Sequence, residues 1–437
     1  MMGNLASMPK YKAYRNSRIE WLGFVPSHWN KVPLCSISKL KSIVNQPHEQ
    51  LLSVYLDKGV IRFDDVDAKR TNATSTDLSK YQLVEPSDFV LNNQQAWRGS
   101  VGVSSLRGIV SPAYLVLELS KDLYPQYANY LFRDGSMVAN YLINSKGVGT
   151  IQRNLYWPQL KRALIFLPTF EEQVLISNFL DKKTTQIDQA ISIKEHQINL
   201  LKERKQIIIQ KAAMQGLDPN VVLKESGVDW IGKIPEHWEI KRLKYILEER
   251  GERSKTGEEP LFMVSQIHGL VVRADYHDKT EVAASNIDNK VVYKNDLVFN
   301  KLKAHLGVFF KSSIEFKGLV SPDYAVYKCK NHIADAKYLE ILFRHPSYIE
   351  QFIIRATGIV EGLIRLYTGD LFDIHVPVAP VEEQLAILAY AGEQSKTYDL
   401  AIELQQTQIE KLKEYKTTLI NSAVTGKIKI TPEMAEQ

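Results

Sequence analysis

Gln94, Gln95, Trp97 and Arg98 crowd into one short stretch, and their types suit the reading of nucleic-acid bases. Gln pairs bidentately with adenine and Arg with guanine. The frame around them, Asn92, Ala96 and Gly99, recurs as Asn300, Ala304 and Gly307. There Lys301, Leu302, Lys303, His305 and Leu306 take the variable places. Lys reaches guanine or a phosphate. A constant frame with changed side chains is what two readers of different base sequences need. The other reading, a solvated hairpin with ordinary polar residues, stays open on sequence alone. A second group of candidates follows the late glycines of each half: Gln152, Arg153 and Asn154, and then Arg365. A third is the basic, polar stretch around Lys69 and Arg70, with Arg253 and Lys255 in the second half. Loops of that kind contact phosphates or nothing.

Motifs for catalysis are missing where they would be expected. A DNA adenine methyltransferase needs an Asn/Asp-Pro-Pro-aromatic tetrapeptide and a Gly-rich cofactor turn, and neither occurs. "GVGT" (Gly147–Thr150) has no third glycine at Gln152, and "TGKI" around Gly426 lacks the rest of a P-loop. "SPDYAVYKCK" has no acidic residue two positions before a Lys, and its partner segment carries Ala113 where it carries Asp323. No His-Glu-x-x-His zinc pattern is present. His28 and His237 each sit beside Trp and Pro without nearby ligands, so packing or hydrogen bonding is the expected role. Neither a catalytic residue nor a metal ligand is expected.

The elements that hold these candidates come in two copies. "SRIEWLGFVPSHW" (Ser17–Trp29) returns as "SGVDWIGKIPEHW" (Ser226–Trp238). "DFVLNNQQAWRG", "GIVSPAYLV", "YLFR" and "FEEQ" return as "DLVFNKLKAHLG", "GLVSPDYAV", "ILFR" and "VEEQ", always about 210 residues later. A solenoid repeats a short unit many times; two units of this size are duplicated domains. Within the first copy "DFVLN", "GIVSPAYLVLEL" and "RALIFLP" predict strands, and "PQYANYLFRDGSMVANYLI" predicts one helix. A long helix should close each copy. Thr169 before Glu172 reads as a capping box, Pro380 suits a first turn, and Gly216 and Gly426 suit left-handed ends. In the first helix Ile187, Ile191, Lys194, Ile198, Leu201, Lys205, Ile208 and Ala212 alternate by four and three. The same slots of the second hold Tyr398, Ile402, Gln405, Ile409, Leu412, Lys416, Leu419 and Ala423. Matching polar slots in a heptad seam favour pairing of the two helices with each other. Tandem order makes that pair antiparallel, with a globular domain at each end and an approximate two-fold relation. The alternative is that each helix lies on its own domain.

At 437 residues, 44% hydrophobic and 24% charged, the chain is a folded protein of two or three domains. A net charge of +5 permits an anionic partner without demanding one. Two isolated cysteines, Cys35 and Cys329, suit a reducing cytoplasm, and no apolar run has signal-peptide or membrane-spanning length.

The ordered, duplicated set of Trp-Pro-His-Trp segments, "SP" strands and "EEQ" helices resembles the specificity subunit of type I restriction-modification enzymes. The resemblance runs from Tyr11 to Ile430. It implies an α+β fold with two target recognition domains, 11–167 and 217–378. It also implies two spacer helices, 168–216 and 379–427, paired as an antiparallel coiled coil with pseudo-two-fold symmetry. It implies a non-catalytic DNA-binding chain of a phage-defence system. Each domain would read half of a split double-stranded target. The helices would set the spacing and dock two methyltransferase subunits, with restriction/translocase subunits joining the full complex. The cofactors S-adenosylmethionine, ATP and Mg2+ would belong to those partners. A structural scaffold that binds only proteins through its helix pair is the alternative, and sequence-dependent DNA binding separates the two.

Overall fold

Short strands separated by Pro, Gly and Asn build a small antiparallel sheet, and the repeat builds it twice. The computed structural model describes residues 5–56, 58–65, 77–148, 152–265, 268–276, 285–358 and 365–436. Its two compact units comprise residues 1–194 with 407–437, and residues 195–406. Each unit thus contains one globular module and a segment of both long helices.

In the first unit β1 (Asn30–Pro33) precedes the main sheet, which is built from β2 (Ser38–Lys41), β3 (Phe89–Asn92), β4 (Val101–Val103) and β5 (Tyr114–Leu119). Their sheet has the order β2-β5-β3-β4 and is antiparallel throughout. Phe89, Val90 and Leu91 are all fully buried, so β3 is covered on both faces, which explains its unbroken apolar run. "GIVSPAYLVLEL" forms two strands where one was expected. Gly108–Val110 pairs with Gln82–Val84 and β5 pairs with β3, because Pro112 lies between them and offers no N–H to a ladder.

The predicted single helix is also two: α1 (Pro125–Arg133) and α2 (Gly135–Ile143). Asp134 breaks it. Its backbone is extended and its carboxylate accepts from the Ser136 N–H at 2.9 Å, capping α2, while also accepting from Asn421 Nδ2 at 3.0 Å. The hairpin β6 (Ser145–Val148) and β7 (Gln152–Leu155) follows, then β8 (Leu164–Leu167), which pairs with β1 and joins the start of the module to its end. α3 (Phe170–Gln215) leaves directly afterwards.

The second unit repeats this path with β9 (Glu239–Arg242), β10 (Leu247–Glu249), β11 (Leu297–Asn300), β12 (Phe309–Lys311) and β13 (Tyr324–Cys329). Its sheet order is β10-β13-β11-β12. The register is preserved: Tyr114 lies opposite Asn92 as Tyr324 lies opposite Asn300. α4 (Ala336–Leu342) and α5 (Pro346–Arg355) follow, His345 capping the latter through Nδ1, and burial lowers its imidazole pKa. β14 (His375–Val378) pairs with β9, and α6 (Val381–Val424) closes the repeat. Buried carboxylates sit at matching corners. Asp88 accepts from Lys41 at 2.6 Å and from the Glu85 N–H; Asp296 accepts from Arg250 at 2.8 Å and from the Tyr293 N–H. Burial raises the pKa of both.

The long helices pair antiparallel within each unit. In the first, Asp188 faces Lys416 at 2.6 Å and Lys194 bonds Gln408, so one index rises as the other falls. In the second, Lys205 binds Asp399 at 2.8 Å. The two ion pairs occupy equivalent places of the repeat. They are half exposed, so each contributes about 0–1 kcal/mol and acts mainly on register. The expected seam residues are shielded to different degrees. Ile187, Ile191, Ile198, Ile409, Leu412 and Leu419 are buried; Leu201, Ile208, Tyr398 and Ile402 are half-buried.

Candidate nucleic-acid interface

The candidate turn of the first unit follows directly from the buried strand β3. Asn92 Oδ1 accepts from the Gln94 N–H at 3.1 Å, and residues 96–98 form one 3-10 turn. Ala96, fully buried, anchors the turn, and Gly99 ends it at φ +100, a left-handed value that favours glycine. The turn leaves Gln94 and Arg98 exposed and Gln95 and Trp97 half-buried. In the second unit Asn300 Oδ1 likewise accepts from the Leu302 N–H at 3.0 Å, and Gly307 has φ +61. The frame seen in the sequence is therefore a hydrogen-bonded frame, made twice.

A second equivalence ties the late segment to the turn. The Leu155 N–H donates to the Asn93 carbonyl at 3.0 Å, and the Leu366 N–H donates to the Lys301 carbonyl at 3.1 Å. This brings the first two candidate groups together. In the first unit the Arg98 guanidinium lies 4.6 Å from the Trp97 ring centre and that of Arg153 lies 5.9 Å from it. The Trp97 N–H donates to the Gln94 carbonyl at 3.0 Å, which holds the ring in place. Asn154, also on β7, is exposed.

The second unit uses the same frame differently. Lys301 and Lys290 both approach Glu249, at 3.6 and 3.4 Å. Burial, and then the charge of Lys301, lower the Lys290 ammonium pKa. Arg253, beside Lys290, donates to the Asp288 carbonyl. Lys255 and Lys303 are exposed. Arg365 lies 3.2 Å from Asp323, so the two residues that replace Asn154 and Ala113 of the first copy form one ion pair. The side chain of His305 and the whole of Lys69 and Arg70 lie outside the described residues.

Sequence reasoning passed over Lys290 and, more importantly, the partners of the repeated His-Trp pair. His28 Nε2 lies 3.0 Å from Glu172, which also accepts from Tyr11 and, at 3.5 Å, from the Trp29 indole. His237 and the Trp238 indole approach Glu383 at 2.8 and 2.9 Å. Glu172 was expected to close a capping box. Thr169 does cap α3, its Oγ1 accepting from the Glu172 N–H at 3.3 Å, but the Glu172 carboxylate serves the clasp. The next residue, Gln173 or Gln384, is buried and bonds the loop before the first module helix and the carbonyl at the helix start. The signal was available: His-Trp and Glu-Glu-Gln recur together. Among the described residues no cluster of His, Cys, Asp or Glu could hold a metal ion.

Beside each turn, within its own unit, a cleft opens between the globular module and the helix pair. The first is about 950 Å³ and lined by Arg98, Arg133, Asp181 and Lys416; the second is about 980 Å³ and lined by Leu306, Arg344, Lys205 and Asp399. No helix among the described residues is long and apolar enough to cross a membrane.

These features define a class: a duplicated α+β protein whose modules each present an irregular polar turn and are braced by an antiparallel helix pair. No family model matches the chain. It is 23% identical over 376 residues to the specificity subunit of the type I restriction enzyme MjaVIII of Methanocaldococcus jannaschii, covering 80% of this chain and 83% of that one. It is 27% identical over 329 residues to the putative type I restriction enzyme MjaX specificity subunit of the same organism, covering 72% and 71%. Among solved structures it matches a chain from work on complex assembly and conformational transition of the type I R-M system, with TM-score 0.61, 14% identity and coverage of 92% and 98%. It also matches the HsdS subunit from Thermoanaerobacter tengcongensis, with TM-score 0.51, 16% identity and coverage of 92% and 98%. The chain is thus similar in sequence to type I restriction enzyme specificity subunits and shares their fold.

Proposed function

We propose that this chain is the DNA-sequence reader of a type I restriction-modification complex. It binds an asymmetric, bipartite duplex target and directs partner methyltransferase and endonuclease subunits to it, in the cytoplasm. The observation that carries this reading is the pair of matched turns. One hydrogen-bonded frame, Asn92 to Gly99 and Asn300 to Gly307, presents unlike side chains in the two copies. Conserved support under divergent polar tips is what reading two different half-sites requires, whereas a protein scaffold has no need of it. Gln94, Gln95, Arg98, Arg153 and Asn154 serve one half-site; Lys301, Lys303, His305 and Arg365 serve the other. Lys69, Arg70, Arg253 and Lys255 contribute phosphate contacts.

The helix pair supports the rest of the proposal. In the second unit Leu200, Ile207, Leu400 and Leu404 are exposed apolar residues on the helices, a surface suited to modification subunits. S-adenosylmethionine, ATP and Mg2+ act on those partners, and this chain alone neither methylates nor cuts DNA. The test is a complex assembled with its methyltransferase subunits and offered duplexes of random sequence. Methylation confined to one bipartite sequence, with binding that weakens as salt rises, is expected. Equal binding to all duplexes would favour the protein scaffold, and turnover by the pure single chain would overturn the non-catalytic assignment.

A further inference from the structure

Arg98 and Arg153 differ from the arginines of the two modules that are held by carboxylates. Arg107 pairs with Glu49 and Glu85, Arg250 with Asp296, Arg344 with Glu340 and Arg365 with Asp323. Among the described residues neither Arg98 nor Arg153 has a carboxylate partner. Both rest instead against one indole, Trp97, whose N–H is tied to the Gln94 carbonyl. One comes from the 3-10 turn and the other from β7, and the Leu155–Asn93 hydrogen bond joins these elements. A guanidinium laid on an aromatic ring keeps its N–H edge free while losing rotamer freedom in advance. That edge matches the O6 and N7 acceptors of guanine in the major groove.

We infer that Trp97 is a stacking post that holds Arg98 and Arg153 ready for guanine, so that the half-site read by the first unit contains one or two required G·C pairs. Trp97 is a positioning residue; the arginines make the contacts. The second unit lacks the post, since Leu306 stands in place of Arg98 and His305 in place of Trp97. Its half-site is therefore read by another chemistry. The inference rests on the reading of the chain as a DNA reader, and the experiment separates the two.

The complex assembled with its methyltransferase subunits is given a randomised duplex library, and methylation is scored at every position. Wild type should require G·C at one or two positions of a single half-site. Arg98→Gln or Arg153→Gln should relax one such position by about 5- to 150-fold in discrimination, the range of a lost bidentate base contact. The other half-site should be unchanged. Trp97→Ala should weaken the same positions, and Trp97→Phe, which retains a ring, should restore most of the effect. Two results would overturn the inference while leaving the reader intact: a first half-site without any required G·C pair, or arginine variants that lower binding equally on all sequences and reduce the salt slope by about one, as phosphate contacts do. A wild-type complex with no sequence preference would sink the proposed function itself.

Discussion

The glycines that end the two long helices allow a controlled comparison. Gly216 and Gly426 are repeat equivalents at φ +79 and +73. Alanine at either position carries the left-handed penalty of about 1–2 kcal/mol, partly offset by the lower entropy of its unfolded chain. Those contributions are common to both sites and cancel in the difference. The surroundings do not cancel. A Cβ at position 426 would lie 2.4 Å from Pro26 Cδ, 2.6 Å from Pro26 Cγ and 3.0 Å from Trp29 Cη2. Neither neighbour can swing away, because Pro26 is a ring and Trp29 is 1% exposed. A Cβ at position 216 meets only Glu383 Oε1 within 3.0 Å, at 2.8 Å, and that atom ends a flexible side chain. Forcing a methyl into packed surroundings costs about 1–3 kcal/mol. Gly426→Ala should therefore destabilise its unit by about 1–3 kcal/mol more than Gly216→Ala destabilises the other. Native-state hydrogen exchange reads each unit separately at Phe89–Leu91 and Leu297–Phe299, the buried central strands. A Gly216→Ala variant that opens its unit as readily as Gly426→Ala opens the other would refute the packing account.

Other outcomes follow from individual contacts. Glu383→Ala strips the acceptor from the fully buried Trp238 indole and should cost about 1–3 kcal/mol; a double-mutant cycle with Trp238→Phe should recover much of that, and strict additivity would deny the clasp. Glu259 is held down to about 2 by the Ser254 hydroxyl, its own backbone N–H and Lys317. Its folded pKa lies below the unfolded one, so its contribution is present above the ordinary carboxylate range and lost as pH falls through about 2. The stability gap between wild type and Glu259→Gln, followed by denaturant titration, should stay level to about pH 4.5 and then shrink; a gap that widens in acid would contradict this. Burial pushes the Cys329 thiol up to about 12, while Cys35 is exposed, so alkylation followed by mass spectrometry should label Cys35 first; equal rates would contradict it. Removing one turn from each long helix at facing positions should shorten the unread spacer of the DNA target, and a loss of stability with an unchanged spacer would refute the role of the helices as a ruler.

What the sequence could reveal divides along the range of the interactions. Strand β3, the helix boundaries and the repeat itself were legible because each rests on local pattern: an apolar run, a Thr cap, a glycine end, a phrase said twice. The break at Asp134 was not. Residues 125–143 keep a helical apolar rhythm through it, and the competing force is a side-chain cap reinforced by Asn421, far along the chain. The compact units escaped prediction for the same reason. Sequential blocks suggest two domains and two helices, whereas each unit gathers one module with facing segments of both helices.

The repeat also shows which long-range contacts can be deduced from one sequence. His-Trp and Glu-Glu-Gln are separated by more than a hundred residues, yet both return together, and a contact kept in both copies explains why. The phrases "SRIEWLGFVPSHW" and "SGVDWIGKIPEHW" thus mark a joint between the start of a module and the start of a long helix. Paired change is as informative as paired repetition. Ala113 and Asn154 become Asp323 and Arg365, and the two replacements meet at 3.2 Å in the second unit alone. Neither substitution has an evident reason by itself; together they put a buttress of opposite charges beside the second turn, where the first unit has Arg153 leaning on Trp97. The two turns therefore differ in their supports as well as in their tips, while the joint between module start and long helix is made in both copies.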